Sequence, residues 1–233
     1  NPLEDTALFF RLRGIFRNEK PDIVLSFTIK NNVYGALAAK AAGVPLIPNV
    51  TGLGTVFLKG RLMEALAVGL YRRAFRSLPA VFFQNPEDEK LFSDLGIVRR
   101  KQSRLVPGSG IDLVHFRSRG GLPGGDRTVF LMIARLIRDN GVIEYIEAAR
   151  EIRESHSNVR FRILGTAAAD NRTSIGPGQL RSWVDGGIVE YLGAVPDVRP
   201  FIQSASCVVL PSYREGLPRT LIEAASMERP VIA

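Results

Sequence analysis

The chain alternates between strand-like runs and helical patterns along its whole length, and this alternation constrains its fold more than any other feature. For example, the buried strand pattern PDIVLSFT (residues 21–28) is followed by the small-residue helical pattern NNVYGALAAKAAG (31–43). Strands separated by helices form parallel sheets that are covered by helices on both faces. The sequence therefore predicts an α/β fold.

A Gly- and Arg-rich segment, FRSRGGLPGGDR (116–127), interrupts this alternation near the middle of the chain. Its composition is typical of a linker. We therefore predict two Rossmann-like domains with a cleft between them: an N-terminal domain (1–116), a linker (117–126) and a C-terminal domain (127–233). The chain starts at Asn1 rather than Met and stops in a strand-like RPVIA, so we expect both domains to be incomplete at the chain ends.

Composition excludes several classes of protein. Among 233 residues, 45% are hydrophobic, which suits one large or two modest cores. No apolar run approaches the ~18 residues of a membrane-spanning helix, and no leader is visible, so we expect a cytoplasmic protein. The single cysteine, Cys207, cannot form an internal disulfide, and the two histidines offer no metal-ligand spacing.

The net charge of +8 is unevenly distributed, with +6 in residues 1–116 and +2 in residues 117–233. Such asymmetry indicates a surface that faces an anionic partner. Few aromatic residues alternate with the basic ones, which argues against nucleic acid.

The helical pattern over residues 60–78 is amphipathic. Arg61, Arg72 and Arg76 share one side, opposite Met63, Leu66 and Leu70. A basic amphipathic helix can lie on anionic lipid, and it can equally be a core-packed helix with a wet basic face. The pattern leaves both interpretations open, peripheral contact with the inner face of the plasma membrane being one of them.

The segment YREGLPRTLIEAA (213–225) is the best candidate for a ligand site, since no dinucleotide or P-loop motif stands at a strand-to-helix turn. It follows the strand-like SCVVLP, and we predict Pro218 as the first helical residue. Free backbone N–H groups at that helix start could bind a phosphate. Glu215 in the loop and Glu223 inside the helix could accept hydrogen bonds from sugar and ribose hydroxyls.

A second candidate lies at the start of the predicted C-terminal domain. Arg135 directly follows its first strand, and Asn140 with Gly141 opens the next helix. A guanidinium at the carboxyl end of a strand is suited to bidentate phosphate contact.

With these stretches, the chain resembles the retaining glycosyltransferases of family 4, which have the GT-B fold of two Rossmann-like domains. It is most similar to the bacterial branch that adds sugars to undecaprenyl-diphosphate-linked glycans. The resemblance rests on the following stretches: SFTIKNNVYGALAAKAAGVP, VTGLG, VPGSGIDLVHF, ARLIRDNGV, FRILG, YLGAVPDV and PSYREGLPRTLIEAASMERPVIA.

The resemblance implies a UDP-sugar donor bound without a metal by the C-terminal domain. Arg135 matches the family arginine that grips the donor diphosphate, and Glu215 matches the carboxylate that contacts the donor sugar. Asn140 stands where the family usually has a lysine, so one charged contact is missing; Arg138 could partly compensate for it. The remaining donor-binding positions implied are Gly165, Ala194, Val195, Gly216, Leu217, Pro218, Arg219, Thr220, Leu221 and Glu223.

The resemblance places the acceptor in the N-terminal domain, at Lys30, Thr51, Gly52 and Gly54. Residues 50–52 replace a histidine that many family members carry, and no side chain is identified as a general base. In enzymes of this type the leaving diphosphate is thought to take the acceptor proton. From the residues alone, a solvated turn lysine at Lys30 and a plain tight turn at 51–54 explain these positions about as well.

The expected function is transfer of a sugar, an N-acetylhexosamine, from a UDP-sugar to a lipid-diphosphate-linked or other glycan acceptor. Two alternatives stay open. Asn140 and the chain ends motivate a nucleotide-sugar-binding pseudoenzyme. A UDP-sugar epimerase shares the fold, although the sequence supplies no convincing histidine for its acid–base chemistry.

Overall fold

A computed structural model describes residues 2–52, 61–118, 120–121, 123–167 and 173–233. Its contacts divide the chain into two compact units. The first comprises Asn1–Ser109 with Glu215–Leu217, and the second comprises Gly110–Arg214 with Pro218–Ala233. The contacts therefore group residues 110–116 with the second unit. The boundaries given above for two domains and a linker stay a prediction.

The first unit is built on a four-stranded parallel sheet in the order β1-β2-β3-β4. All four strands run in the same direction, so their carboxyl ends meet at one edge. The strands are β1 (Val24–Phe27), β2 (Leu46–Val50), β3 (Val81–Phe83) and β4 (Ser103–Leu105), and the helices are α1 (Pro2–Glu19), α2 (Ile29–Ala42), α3 (Arg61–Phe75) and α4 (Pro86–Asp94).

Helix α4 begins as its sequence dictates. The side chain of Asn85 accepts a hydrogen bond from the backbone N–H of Asp88 at 2.7 Å, and Pro86 is the first helical residue. Asn at the N-cap followed by Pro strongly favours a helix start. The Asn side chain accepts from one otherwise unpaired backbone N–H group, and Pro has no N–H group that would need a partner.

Helix α1 was not predicted, because its apolar residues surround the helix instead of following one face. Phe16 is buried, and Phe9 and Leu12 pack against the core. Leu3 and Phe10, however, are 80% and 59% exposed. The resulting weak periodicity hides a helix from pattern analysis.

Helix α3 packs on the core through a face that matches the predicted one only in part: Leu70 packs against the core and Arg72 and Arg76 are exposed, as predicted. Val68, Tyr71 and Phe75 are buried, whereas Leu66 is 63% exposed, so the placement of Leu66 on the apolar face is wrong. The Arg72 guanidinium donates to the backbone carbonyl of Leu95 at 2.5 and 2.8 Å. The side chains of residues 61–64, which include Arg61 and Met63, lie outside the described set. Helix α3 is thus core-packed, and membrane contact stays a prediction.

The second unit is built on a five-stranded parallel sheet in the order β7-β6-β5-β8-β9, with β5 at its centre. Leu131, Met132, Ile163 and Val208 are fully buried in its core. The strands are β5 (Thr128–Ile133), β6 (Val159–Leu164), β7 (Glu190–Tyr191), β8 (Cys207–Val209) and β9 (Val231–Ile232), and the helices are α5 (Val142–Ser155), α6 (Pro177–Asp185), α7 (Arg199–Gln203) and α8 (Arg219–Ser226).

Both sheets are entirely parallel over the described residues, which confirms the predicted α/β class. No described helix combines the length and the apolar composition needed to span a bilayer.

Candidate functional site

Glycines let the turns at the carboxyl edge of the second sheet touch through their backbones. Gly165 follows β6 with a φ of 148°, and a Cβ atom there would lie 1.8 Å from the carbonyl oxygen of Ala134. The Gly165 N–H donates to the carbonyl of Gly193 at 2.8 Å. Gly165 therefore lies next to both the turn that leads to Arg135 and the loop that carries Ala194 and Val195. That these residues bind a donor stays a prediction.

Asn140 supports the turn that carries Arg135. Its side-chain amide donates to the Arg135 carbonyl at 3.0 Å. Asn140 ends a short 3-10 turn (Arg138–Asn140), and Gly141 follows with a φ of 75° and caps α5, which begins at Val142. The predicted helix start at Asn140 is therefore two residues early. Asn140, the residue predicted to stand in place of the family lysine, thus has a structural contact of its own.

Helix α8 presents its N-terminus beside the end of β5. The predicted first helical residue, Pro218, is instead the N-cap, since its ψ of 110° is extended and the helix begins at Arg219. Thr220 donates from Oγ1 to the Ile133 carbonyl at 3.3 Å. The N–H of Leu221 bonds to Pro218, whereas those of Arg219 and Thr220 make no backbone bond to another described residue. Such a helix end attracts anions.

Glu223 lies one turn inside α8 and is ion-paired. Its carboxylate lies 3.3 Å from Nη2 of Arg219, and its side chain is only 13% exposed. Burial raises the pKa of the Glu223 carboxyl, and the neighbouring Arg219 guanidinium opposes that shift. The ion pair favours the ionised form of Glu223, in which both carboxylate oxygens can only accept hydrogen bonds.

Glu215, Gly216 and Leu217 are grouped by their contacts with the first unit. Within that unit, the Asn85 side-chain amide donates to the Glu215 carbonyl at 2.9 Å. A Cβ atom on Gly216 would lie 2.4 Å from the Thr51 carbonyl oxygen. Two predicted site residues, Gly216 and Thr51, are therefore in contact.

The loop GAVPD (193–197) ends in a bidentate ion pair. The Arg199 guanidinium donates to both carboxylate oxygens of Asp197 at 2.8 Å, and it lowers the pKa of that carboxyl to about 2. Arg199 also donates to the backbone carbonyl of His115 at 3.4 Å. A cavity of about 190 Å³ lies beside these residues, lined also by Arg117, Gln203 and Met227. Sequence reasoning did not identify this ion pair.

At the carboxyl edge of the first sheet, Lys30 is ion-paired. Its Nζ lies 2.8 Å from the Asp5 carboxylate, which also accepts from the Tyr34 hydroxyl at 3.1 Å. The hydrogen bond from Lys30 lowers the pKa of Asp5, and the carboxylate raises the pKa of Lys30. Lys30 remains 57% exposed. Thr51 and Gly52 follow β2 at the same edge, whereas Gly54 lies outside the described residues.

Sequence reasoning missed one buried residue at this edge, Asn32, which is 3% exposed. It accepts from the Ser26 hydroxyl and donates to the Asn49 carbonyl, both at 2.8 Å. The available signal was its place in TIKNN, two residues after Lys30 in a helix otherwise rich in alanine.

Among the described residues, no three His, Cys, Asp or Glu side chains are grouped so that they could hold a metal ion. The site chemistry available there consists of guanidinium groups, carboxylates, a helix N-terminus and backbone N–H groups.

Two family models match the chain. Residues 127–233 match "Glycosyl transferases group 1", and residues 2–85 match "Glycosyl transferase 4-like". The chain therefore belongs to the glycosyltransferases that combine these two domains.

Relatives named as glycosyltransferases are similar to most of the chain. The chain is 27% identical, over its whole length and 64% of the relative's, to the N,N'-diacetylbacillosaminyl-diphospho-undecaprenol alpha-1,3-N-acetylgalactosaminyltransferase of Campylobacter jejuni. It is 34% identical, over 93% of its length and 54% of the relative's, to the putative teichuronic acid biosynthesis glycosyltransferase TuaC of Bacillus subtilis. The chain spans about three fifths of the length of such relatives.

Solved structures confirm the fold. Anabaena HepE in complex with UDP-glucose aligns with a TM-score of 0.78 at 19% identity, over 96% of this chain and 62% of HepE. Sucrose-phosphate synthase from Thermosynechococcus elongatus aligns with a TM-score of 0.78 at 18% identity, over 97% of this chain and 59% of the synthase. The chain has the GT-B fold that the sequence predicted.

Proposed function

We propose that this chain is part of a retaining glycosyltransferase that moves an N-acetylhexosamine from a UDP-sugar to an undecaprenyl-diphosphate-linked acceptor. The protein would work in cell-surface polysaccharide or glycan synthesis, in the cytoplasm at the inner face of the plasma membrane. Relatives named for undecaprenol-linked acceptors support the acceptor class. HepE, solved with UDP and UDP-glucose, supports the donor class.

The observation that carries the proposal is the carboxyl edge of the second sheet. There the start of α8 meets the end of β5, through Thr220 and Ile133, next to the turn of Arg135. A diphosphate at this edge would accept hydrogen bonds from the Arg135 guanidinium and from the two N–H groups at the helix start, those of Arg219 and Thr220. Glu223 would accept the ribose hydroxyls.

The reaction needs little covalent chemistry from the protein. The acceptor hydroxyl oxygen forms a bond to C1 of the donor sugar as the bond from C1 to the diphosphate oxygen breaks. The proton of the hydroxyl passes to the departing diphosphate, as the family resemblance implies. Arg135 and the helix end then stabilise the charge that develops on the leaving group, without a metal. Glu215 would orient the donor sugar.

A second candidate function rests on Asn140. Its side-chain amide donates to the Arg135 carbonyl and carries no charge. Compared with a lysine at this position, the diphosphate would therefore have one cationic contact fewer. A protein that binds a nucleotide sugar but turns it over weakly would have this feature.

The test is UDP release from a panel of UDP-sugars by the full-length protein, with and without an undecaprenyl-diphosphate-linked acceptor. We expect acceptor-dependent release that Glu215→Ala abolishes. Glu151→Ala, which removes an exposed carboxylate from α5, is the matched control and should leave the rate unchanged. Full activity in Glu215→Ala would refute the site. Turnover by Asn140→Lys alone would establish the binding protein instead.

A further inference from the structure

We propose that Asn32 is a positioning residue for the acceptor site. Its side chain holds together the turn after β1 and the turn after β2, which carry the residues expected to meet the acceptor. This inference rests on the proposed function, because it takes the first unit as the acceptor-binding part.

The Asn32 side chain cross-links the ends of two neighbouring strands. Its Oδ1 accepts from Oγ of Ser26 in β1, and its Nδ2 donates to the carbonyl of Asn49 in β2. Asn32 and Ser26 are 3% and 7% exposed. Burying an amide is unfavourable unless its donor and acceptor are both satisfied, as they are here. An apolar residue would fill the same space without tying the strands together.

The same residue also fixes the turn before it. The backbone N–H of Asn32 donates to the Thr28 carbonyl at 2.9 Å. Thr28 has a φ of 70° and a ψ of 151°, a conformation almost confined to glycine. A threonine stays in this conformation only where its surroundings hold it there. Other residues at position 32 would keep this backbone bond, but the Asn32 side chain adds the bond from Ser26 that closes the chain across Thr28 and so helps to hold the turn that leads to Lys30.

This arrangement explains how Lys30 could serve an acceptor although it is paired with Asp5. An exposed lysine can exchange a carboxylate for an acceptor phosphate, but the exchange removes a contact that anchors its turn. Asn32 anchors the turn from the buried side, independently of Asp5. On the β2 side, the Asn49 carbonyl that Asn32 binds lies two residues before Thr51.

Gln102 provides a matched control within the same unit. It is also a 3% exposed side-chain amide, and it donates to the carbonyls of Phe75 and Leu78 at 3.2 and 2.6 Å. Gln102 directly precedes β4, so it lies at the amino edge of the sheet. Its removal should lower stability without touching the acceptor turns.

The experiment compares Asn32→Ala, Asn32→Asp and Gln102→Ala in the full-length protein, by steady-state kinetics and by hydrogen–deuterium exchange. We expect both Asn32 variants to raise the acceptor KM by about tenfold. Donor KM and acceptor-free UDP release should stay within about twofold. Exchange should speed up in both turns, residues 28–31 and 49–52. Gln102→Ala should lower Tm and change neither the acceptor KM nor these turns.

The proposal is overturned if Asn32→Ala and Gln102→Ala raise the acceptor KM equally, or if exchange speeds up in only one of the two turns. If Asn32→Ala does not fold, Ser26→Ala removes one bond of the network and should give a smaller rise in acceptor KM; an unchanged KM would refute the role. If the wild-type protein transfers no sugar, the proposed function fails, and the exchange measurement alone decides whether Asn32 couples the turns.

Discussion

The carboxyl edges of the two sheets are built by different means. In the second unit, close backbone contacts that only glycine allows predominate, above all at Gly165 and Gly141, and the Asn140 amide adds a side-chain bond. In the first unit, side chains predominate, through the buried amide of Asn32 and the ion pair between Lys30 and Asp5, and Gly216 adds a close backbone contact to Thr51. We call the edge of the second sheet backbone-built and that of the first sheet side-chain-built, after the contacts that predominate.

This difference matches the two ligands expected. A nucleoside diphosphate has an invariant part, which backbone N–H groups and one guanidinium can recognise whatever the neighbouring side chains are. An acceptor glycan varies between relatives, and an edge made of side chains can change its recognition by substitution. The contrast between the backbone-built edge of the second sheet and the side-chain-built edge of the first therefore predicts that the two edges respond differently to mutation.

The largest effect should come from removing Arg135, the guanidinium proposed to grip the donor diphosphate. We expect Arg135→Ala to lower kcat by about 100- to 1000-fold, because it removes a charge that stabilises the leaving group. Arg150→Ala, on the exposed side of α5, is the control and should keep wild-type kcat. A loss below tenfold would mean that backbone groups alone bind the diphosphate.

The next effect tests the backbone-built edge directly. Gly165→Ala should lower the free energy of unfolding by about 2–3 kcal/mol, because the φ is unfavourable for alanine and the added Cβ meets the Ala134 carbonyl. Urea denaturation measures this change. Gly178→Ala, in α6 of the same unit, meets no atom within 4 Å and should leave stability unchanged or slightly higher. Equal effects of the two variants would contradict the close approach.

A smaller effect tests the missing charge. Asn140→Lys gains a charged contact to the diphosphate and loses the amide bond to the Arg135 carbonyl, for a net gain of about 1 kcal/mol in transition-state stabilisation. We therefore expect kcat/KM for the donor to rise roughly fivefold. Asn140→Ala separates the effect of the added charge from that of the lost hydrogen bond, since it removes the hydrogen bond to the Arg135 carbonyl without adding a charge. An Asn140→Lys variant slower than Asn140→Ala would show that a charge is harmful at this position.

A change of similar, small size tests the first sheet's edge. Thr28→Gly should raise stability by about 1 kcal/mol, because relief of the strained backbone exceeds the entropy cost of glycine. Ala7→Gly, in helix α1 of the same unit, should instead lower stability by about 1 kcal/mol. Thermal unfolding of the two variants shows whether each substitution raises or lowers stability. Destabilisation by Thr28→Gly would mean that the backbone at residue 28 is not strained.

Much of the fold was predictable from the sequence, because its signals are local. Asn85 and Pro86 mark the start of α4 by capping chemistry, and buried runs separated by helical patterns identify parallel strands. Helix α1 was missed because Leu3 and Phe10 break its apolar face, and Leu66 was misplaced because packing against the core, rather than periodicity, selects the buried side of α3.

The family motif names candidate site residues, but the sequence does not reveal the contacts that join distant parts of the chain. The pairing of Lys30 with Asp5 spans 25 positions and depends on a helix that the sequence did not reveal. The bond from Asn140 to the Arg135 carbonyl required the geometry of a 3-10 turn. No sequence motif marks Asn32, because its role depends on the ends of two strands that are distant in sequence and meet at one edge of the sheet.

The central claim is that the chain belongs to an enzyme that transfers a sugar from a UDP-sugar to a lipid-linked acceptor. The most direct measurement incubates the full-length protein with UDP-N-acetylhexosamines and an undecaprenyl-diphosphate-linked acceptor, and determines the mass and anomeric configuration of the product by mass spectrometry and NMR. We predict an acceptor extended by one sugar with the α-configuration of the donor retained, and no product with Glu215→Ala. An inverted linkage, or no extension with any UDP-sugar under conditions where the protein binds UDP, would contradict the account.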